Sequence, residues 1–140
     1  MKPEKLFRVD EANAVVPRLQ LLMERLQRGA LRLHDEMRGL AQELGVELAT
    51  LATDDLLRRR PAARALVEEL DVIVGEIEAS GAHLKDIQLG LVDFPMERDG
   101  EIVYLCWQFG EPEVAFWHRI EDGFAGRQPL AGSTRPRYLQ

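Results

Sequence analysis

From Leu19 to Leu44 an apolar residue recurs at alternating steps of four and three: Leu19, Met23, Leu26, Ala30, Leu33, Met37, Leu40 and Leu44. An α-helix gathers such positions into one stripe, so the spacing predicts a long helix over residues 16–44. Pro17 suits its first turn, where the missing N–H is not required. Gly45 is placed to close it as a left-handed cap. Asp10 reads as the N-cap of a short preceding turn, Glu11 to Val16. At 1.5 Å per residue such a rod spans about 42 Å.

Leu66, Leu70, Ile73 and Ile77 repeat the four-three step, and Ser80-Gly81 closes the second pattern. Pro61 either begins this helix or kinks a longer one starting near Asp54-Asp55. The expectation is a long antiparallel helical hairpin over residues 7–81, joined through residues 45–60. The second helix is shorter than the first, so part of the Leu/Met seam lacks a cover within one chain. A homodimer is the simplest remedy; a C-terminal segment folded back over the excess is the alternative.

From His83 the period changes to two. Leu91 to Phe94 reads as a strand ended by Pro95, Glu101 to Gln108 as a second, and Val114 to Ile120 as a third. Arg98-Asp99-Gly100 is a strong hairpin signal, because Asp-Gly tolerates the positive φ angles of tight turns. Phe109-Gly110-Glu111-Pro112 turns between the second and third strands. The sequence therefore predicts an α+β fold in a single domain, 1–140. Its sheet is a three-stranded antiparallel β-meander within residues 82–122, open to extension by residues 83–88 across a bulge at Gly90. Residues 123–140 read as an irregular tail whose last eight residues are mobile. Along the middle strand Ile102, Tyr104 and Cys106 face one way, and Val103, Leu105 and Trp107 the other. One face meets the helices; the other needs a partner, the tail or a ligand.

Composition narrows the function classes. Of 140 residues 46% are apolar and 30% charged, the profile of a soluble globular domain. No apolar run approaches the ~20 residues of a membrane span. Met1-Lys2-Pro3-Glu4-Lys5 leads into no apolar stretch, so no secretory signal is read. A single cysteine, Cys106, excludes an internal disulfide and fits a reducing compartment, so a cytoplasmic location is expected. The net charge of −6 disfavours nonspecific attraction to nucleic acid or to an anionic membrane. Arg58-Arg59-Arg60 with Arg64 follows Asp54-Asp55 and reads as a solvated helix start.

The residues able to carry chemistry lie between Asp86 and Leu130. His118, with Asp122 four residues on and Glu111 before it, could ligate a divalent metal or act as a general base. Register decides whether Cys106 joins it. With Gln108 opposite Glu113 the two side chains face apart. With Gln108 opposite Val114, Tyr104 lies across from His118 and Cys106 sits diagonally on the same face. A metal on His118, Asp122, Glu111 and Cys106 competes with a hydrogen-bonded structural histidine and an inert buried thiol. Gly123-Phe124-Ala125-Gly126-Arg127 is a glycine-spaced loop ending in a guanidinium. With Gly123, Gly126, His118 and Tyr104, Arg127 could clamp a small anion; alternatively it pairs with Asp93, Glu111 or Asp122 and pins the loop. Trp107, Trp117, Phe116 and Phe124 read as core and interface anchors, because a stacking platform needs a basic groove.

Several blocks of this region recur together: GLVDFP at 90–95, RDG at 98–100, YLCW at 104–107, GEPE at 110–113, WH at 117–118 and GFAGRQPL at 123–130. Their succession resembles the bacterial family catalogued as domain of unknown function 2203. Phe7 to Leu19, with Asp10-Glu11-Ala12-Asn13 and Pro17-Arg18-Leu19, is similar to that family's opening. The resemblance carries no assigned activity, substrate or cofactor, so no role passes to any residue. It implies a small prokaryotic cytosolic protein whose hallmark residues lie in the sheet and tail, with residues 45–81 as a variable connector. The sequence thus ranks first a non-catalytic homodimeric module that binds a protein partner or a small anionic ligand at the sheet. A purely structural oligomer comes next, then a metal-dependent or Cys/His enzyme built on His118, Asp122, Glu111 and Cys106.

Overall fold

The computed structural model describes residues 4–130, and the fold is α+β. A long helix α1 (Val9–Leu44) is followed by a short α2 (Thr53–Arg59) and by α3 (Arg64–Ala79). Then come five strands: β1 (His83–Asp86), β2 (Leu91–Arg98), β3 (Glu101–Gln108), β4 (Phe116–Arg119) and β5 (Gln128–Pro129). They form one antiparallel sheet in chain order. No helix among the described residues is long and apolar enough to cross a membrane.

The long helix is one element of 36 residues, about 54 Å, rather than a turn followed by a helix from residue 16. Its N-cap is Arg8, not Asp10; the Glu11 carboxylate accepts the Arg8 backbone N–H at 2.9 Å. Pro17 lies inside the helix and removes the bond to the Asn13 carbonyl. One lost bond is outweighed by the burial of Ala12, Val16 and Leu19 on either side of it. Gly45 closes the helix in the left-handed region, φ 66°, as its position in the sequence requires.

α3 runs antiparallel to α1, as the ladder of contacts Arg18–Glu76, Arg25–Glu69 and Gly29–Leu66 shows. Asp54-Asp55 and Pro61 start separate elements: α2, then a 3-10 turn, Pro61–Ala63, that feeds α3. These pieces fold back on the distal half of α1. Leu40, Leu56 and Ala63 form a small buried cluster with Leu33, Met37, Leu44, Leu51 and Leu57 packed against it. The connector therefore covers part of the seam, and Ala30, Leu33, Met37 and Leu44 stay partly exposed.

The sheet differs from the expected three-stranded meander at both edges. β1 is the extension by residues 83–88 that the sequence left open, with its register shift between Leu84 and Asp86 rather than at Gly90. Gly90 instead sits in the β1–β2 turn at φ 71°. At the other edge the segment expected to be irregular returns as β5 beside β4. The expected third strand is trimmed from 114–120 to Phe116–Arg119. The mobility expected of the last eight residues falls outside the described residues.

Pro95 does not end β2, which runs on to Arg98. Antiparallel pairs alternate between exchanging and not exchanging backbone hydrogen bonds. Counting from the Arg98–Glu101 pair at the turn, Pro95 does not bond Tyr104, so its ring nitrogen faces the β1 side. β1 has already ended there, its last pair being His83–Asp93, so no donor is missed. The Pro95 carbonyl on that side accepts from Phe7 N at 2.7 Å.

One sheet face carries Val92, Phe94, Val103, Leu105, Trp107 and Trp117 into the core with Leu19, Met23, Leu26, Ile73 and Ile77. The other face carries Asp93, Tyr104, Cys106 and His118, and the segment after β4 folds over it. That segment places Phe124 and Gly123 at the same cavity as those four side chains.

Two glycines test this packing with opposite signs. A Cβ on Gly90 would lie 2.5 Å from Phe109 Cβ, at a φ that L-residues avoid, so Gly90→Ala should cost about 2 kcal/mol or more. Gly75 lies within α3 with nothing in reach of a Cβ, so Gly75→Ala should stabilise by about 0.5–1 kcal/mol. Urea denaturation midpoints of the two variants check both signs.

Candidate metal centre

The outer-face cluster follows from the β2–β3 register. Asp99 and Gly100 take φ 52° and 79°, the conformation of a two-residue hairpin turn, and leave Arg98 opposite Glu101. With that pair fixed, Asp93 falls opposite Cys106. The same alternation makes them a pair without mutual backbone hydrogen bonds, the kind whose side chains approach most closely. Between β3 and β4 the register sets Tyr104 opposite His118, which brings His118 diagonal to Cys106. This is the second of the two registers that the sequence allows.

Asp93, Cys106 and His118 are all buried, and one potential ligand atom from each lies within 4.8 Å of the others. His118 Nε2 is 3.0 Å from Asp93 Oδ2, and Nδ1 is 2.7 Å from the Arg119 carbonyl oxygen. A carbonyl only accepts, so Nδ1 carries a hydrogen and Nε2 is the atom offered to the cluster. The Cys106 sulfur lies within 4.8 Å of the Asp93 carboxylate. Burial pushes the Asp93 carboxyl above the usual carboxylate range, with the charge and hydrogen bond of His118 opposing it. Burial, with the Asp93 charge adding to it, pushes the Cys106 thiol up to about 12.

These groups floor a cavity of about 140 Å³ whose wall includes Lys85, Leu91, Tyr104, Ile120, Gly123 and Phe124. The Lys85 ammonium sits 4.5 Å from the centre of the Tyr104 ring. Lys85 is the residue at the β1 register shift, and such bulges re-aim a side chain. The Tyr104 hydroxyl is 3.4 Å from His83 Nδ1, and His83 Nε2 is 2.9 Å from Glu4 Oε1.

The other residues singled out from the sequence lie elsewhere. The Glu111 carboxylate accepts two bonds from Arg127 Nη2, both at 2.8 Å, and one from Gln108 N at 2.7 Å. Arg127 is further held over the Phe116 and Phe124 rings, 3.9 and 4.9 Å from their centres. Arg127 is thus directed at Glu111, and with Gly126 pressed on Asp122 Cβ the loop is a clasp over the sheet. Asp122 is exposed in the turn after β4 and takes no place in the cluster. Of the four metal candidates, the structure brings together Cys106 and His118 and leaves out Glu111 and Asp122.

Asp93 is the member of the buried cluster that was not expected beside Cys106 and His118. Its signal was present: a lone carboxylate in the apolar run Leu91-Val92-Asp93-Phe94, on the face opposite Val92 and Phe94. Counting back from the Asp-Gly turn would have set it against Cys106.

As a nucleophile the thiol is poorly served. Both His118 ring nitrogens are engaged elsewhere, and the group beside Cys106 is a carboxyl that raises its pKa. As a ligand set the three suit a borderline divalent ion: nitrogen, sulfur and oxygen donors converge, and the far histidine nitrogen is fixed by a backbone carbonyl.

The chain belongs to the family described as uncharacterized conserved protein (DUF2203), whose model matches residues 5–130. No curated protein and no solved structure matches it.

The pKa of Cys106 has a direct readout. Metal-free folded protein at pH 8 should react with iodoacetamide at least about a hundredfold more slowly than the urea-unfolded chain. Equal rates in the two states would place the thiol in a different setting.

Proposed function

We propose that this protein binds a single divalent ion, zinc by the chemistry of the donors, through His118 Nε2, Cys106 Sγ and an Asp93 carboxylate oxygen. The observation that carries the reading is the convergence of these three buried donors on the floor of a cavity. A thiolate disfavours magnesium and calcium, and the mixed nitrogen, sulfur and oxygen set is the kind zinc takes. Burying a thiol, a carboxyl and an imidazole together costs desolvation that apolar residues in their place would avoid. Giving up the proton between Nε2 and Oδ2 and the proton on sulfur to a cation would offset that cost.

Three protein ligands leave a tetrahedral ion one open position, as in zinc sites that handle small molecules rather than closed structural ones. The cavity that the three donors line would give a fourth ligand its way in. The reading therefore joins two expectations from the sequence, a ligand at the C-terminal sheet and a metal at His118 and Cys106, with Asp93 replacing Glu111 and Asp122. What the ion would supply is Lewis acidity; the chain's own residues hold it, fix the imidazole and limit access.

Chelator-treated full-length protein should take up one equivalent of zinc in a calorimetric titration, and its Tm should rise with the free zinc concentration. Cys106→Ala, a small buried apolar replacement compatible with the fold, should keep its circular dichroism spectrum and weaken zinc at least about tenfold. His118→Gln should weaken it similarly. No uptake by folded wild-type protein at micromolar zinc, or uptake by Cys106→Ala equal to wild type, contradicts the proposal.

A further inference from the structure

Resting on that metal site, we infer that its open position takes a short-chain aliphatic monocarboxylate, with the carboxylate between the ion and Lys85 and the alkyl end against Leu91, Ile120 and Phe124. Charge is the first argument. A divalent ion held by one carboxylate, one thiolate and a neutral imidazole leaves the centre uncharged overall. Lys85 then adds one positive charge at the mouth, and its field already reaches Asp93. Among the described residues Lys85 forms no ion pair; its ammonium is parked over the Tyr104 ring. A monoanion balances that charge, whereas phosphate brings a second negative charge with no cation to meet it. Arg127, the other nearby cation, is occupied by Glu111 in a two-point contact.

Size is the second argument. A cavity of about 140 Å³ has the room of roughly four or five waters, part of which the ion and its coordination shell would fill. That admits a carboxylate with one or two further carbons and excludes nucleotides, sugars and peptides. Chemistry of the wall is the third. Leu91, Ile120 and Phe124 give the anion an apolar side with no donor for a hydroxyl, which favours an alkyl tail over a polyhydroxylated acid. Outside the three donors to the ion, Tyr104 and Lys85 are the polar side chains of the wall, so a ligand with one charged end fits the layout.

The test uses full-length protein saturated with cobalt(II) in place of zinc, whose visible spectrum reports ligands entering the metal's coordination. Titration with acetate and propionate should shift the spectrum saturably, with propionate the tighter. Acetamide and phosphate should leave it largely unchanged. In cobalt-saturated Lys85→Met the affinity for propionate should fall roughly tenfold, the loss of one charge-assisted contact. Cobalt uptake with a spectrum indifferent to carboxylates, tighter binding of phosphate than of propionate, or an unaltered affinity in Lys85→Met would overturn this inference while leaving the metal site standing. Failure to take up cobalt would remove both.

Discussion

The two-residue turn at Asp99-Gly100 is the constraint on which the site depends. Side chains alternate along a strand, so a slip of one residue between β2 and β3 would turn Asp93 away from Cys106. It would also drive Val92 and Phe94 out of the core that they share with Leu105 and Trp107. The hydrophobic face and the polar cluster are thus held by one register. Stability selects the register for the sake of the apolar face, and the cluster on the reverse face comes with it.

A second anchor fixes β4. The loop from Phe109 to Ala115 is too long to impose a register by its own geometry. Its backbone is instead tied down by side chains. The Glu111 carbonyl accepts from Trp107 Nε1 and Gln20 Nε2, both at 2.9 Å, and Asn13 Oδ1 accepts from Val114 N at 2.6 Å. The Glu111 carboxylate meanwhile clasps Arg127, so one residue braces the loop on α1 and the returning segment on the sheet. A largely buried pair of this kind is costly to break, because the survivor is left charged and unpaired. Arg127, the most conspicuous cation of the C-terminal loop, therefore serves the architecture, and the cation at the cavity is Lys85.

Much of this was legible in the residues. The four-three stripes gave both long helices, Gly45 gave the end of the first, and Asp-Gly gave the hairpin. What escaped had tertiary causes. Pro17 and Pro95 read as boundaries because each removes a donor, yet both sit where packing or a strand's end makes the loss tolerable. β5 is two residues long and is recruited by β4 and by Leu130 N bonding the Ala115 carbonyl, so no local pattern could announce it. The connector looked like filler, but Leu56 buries against Leu40 and covers part of the seam. For the site, the pairing of His118 with Cys106 hung on a register that the loop left open. The part played by Asp93 followed from the turn and was readable once strands were counted against each other.

The central claim is that three donors from three neighbouring strands meet on one ion, and X-ray absorption of the zinc-loaded full-length protein tests it most directly. The account predicts a shell with one sulfur at about 2.3 Å and the remaining nitrogen and oxygen donors at about 2.0–2.2 Å. A shell of nitrogen and oxygen alone, or one with two or more sulfurs, would contradict it.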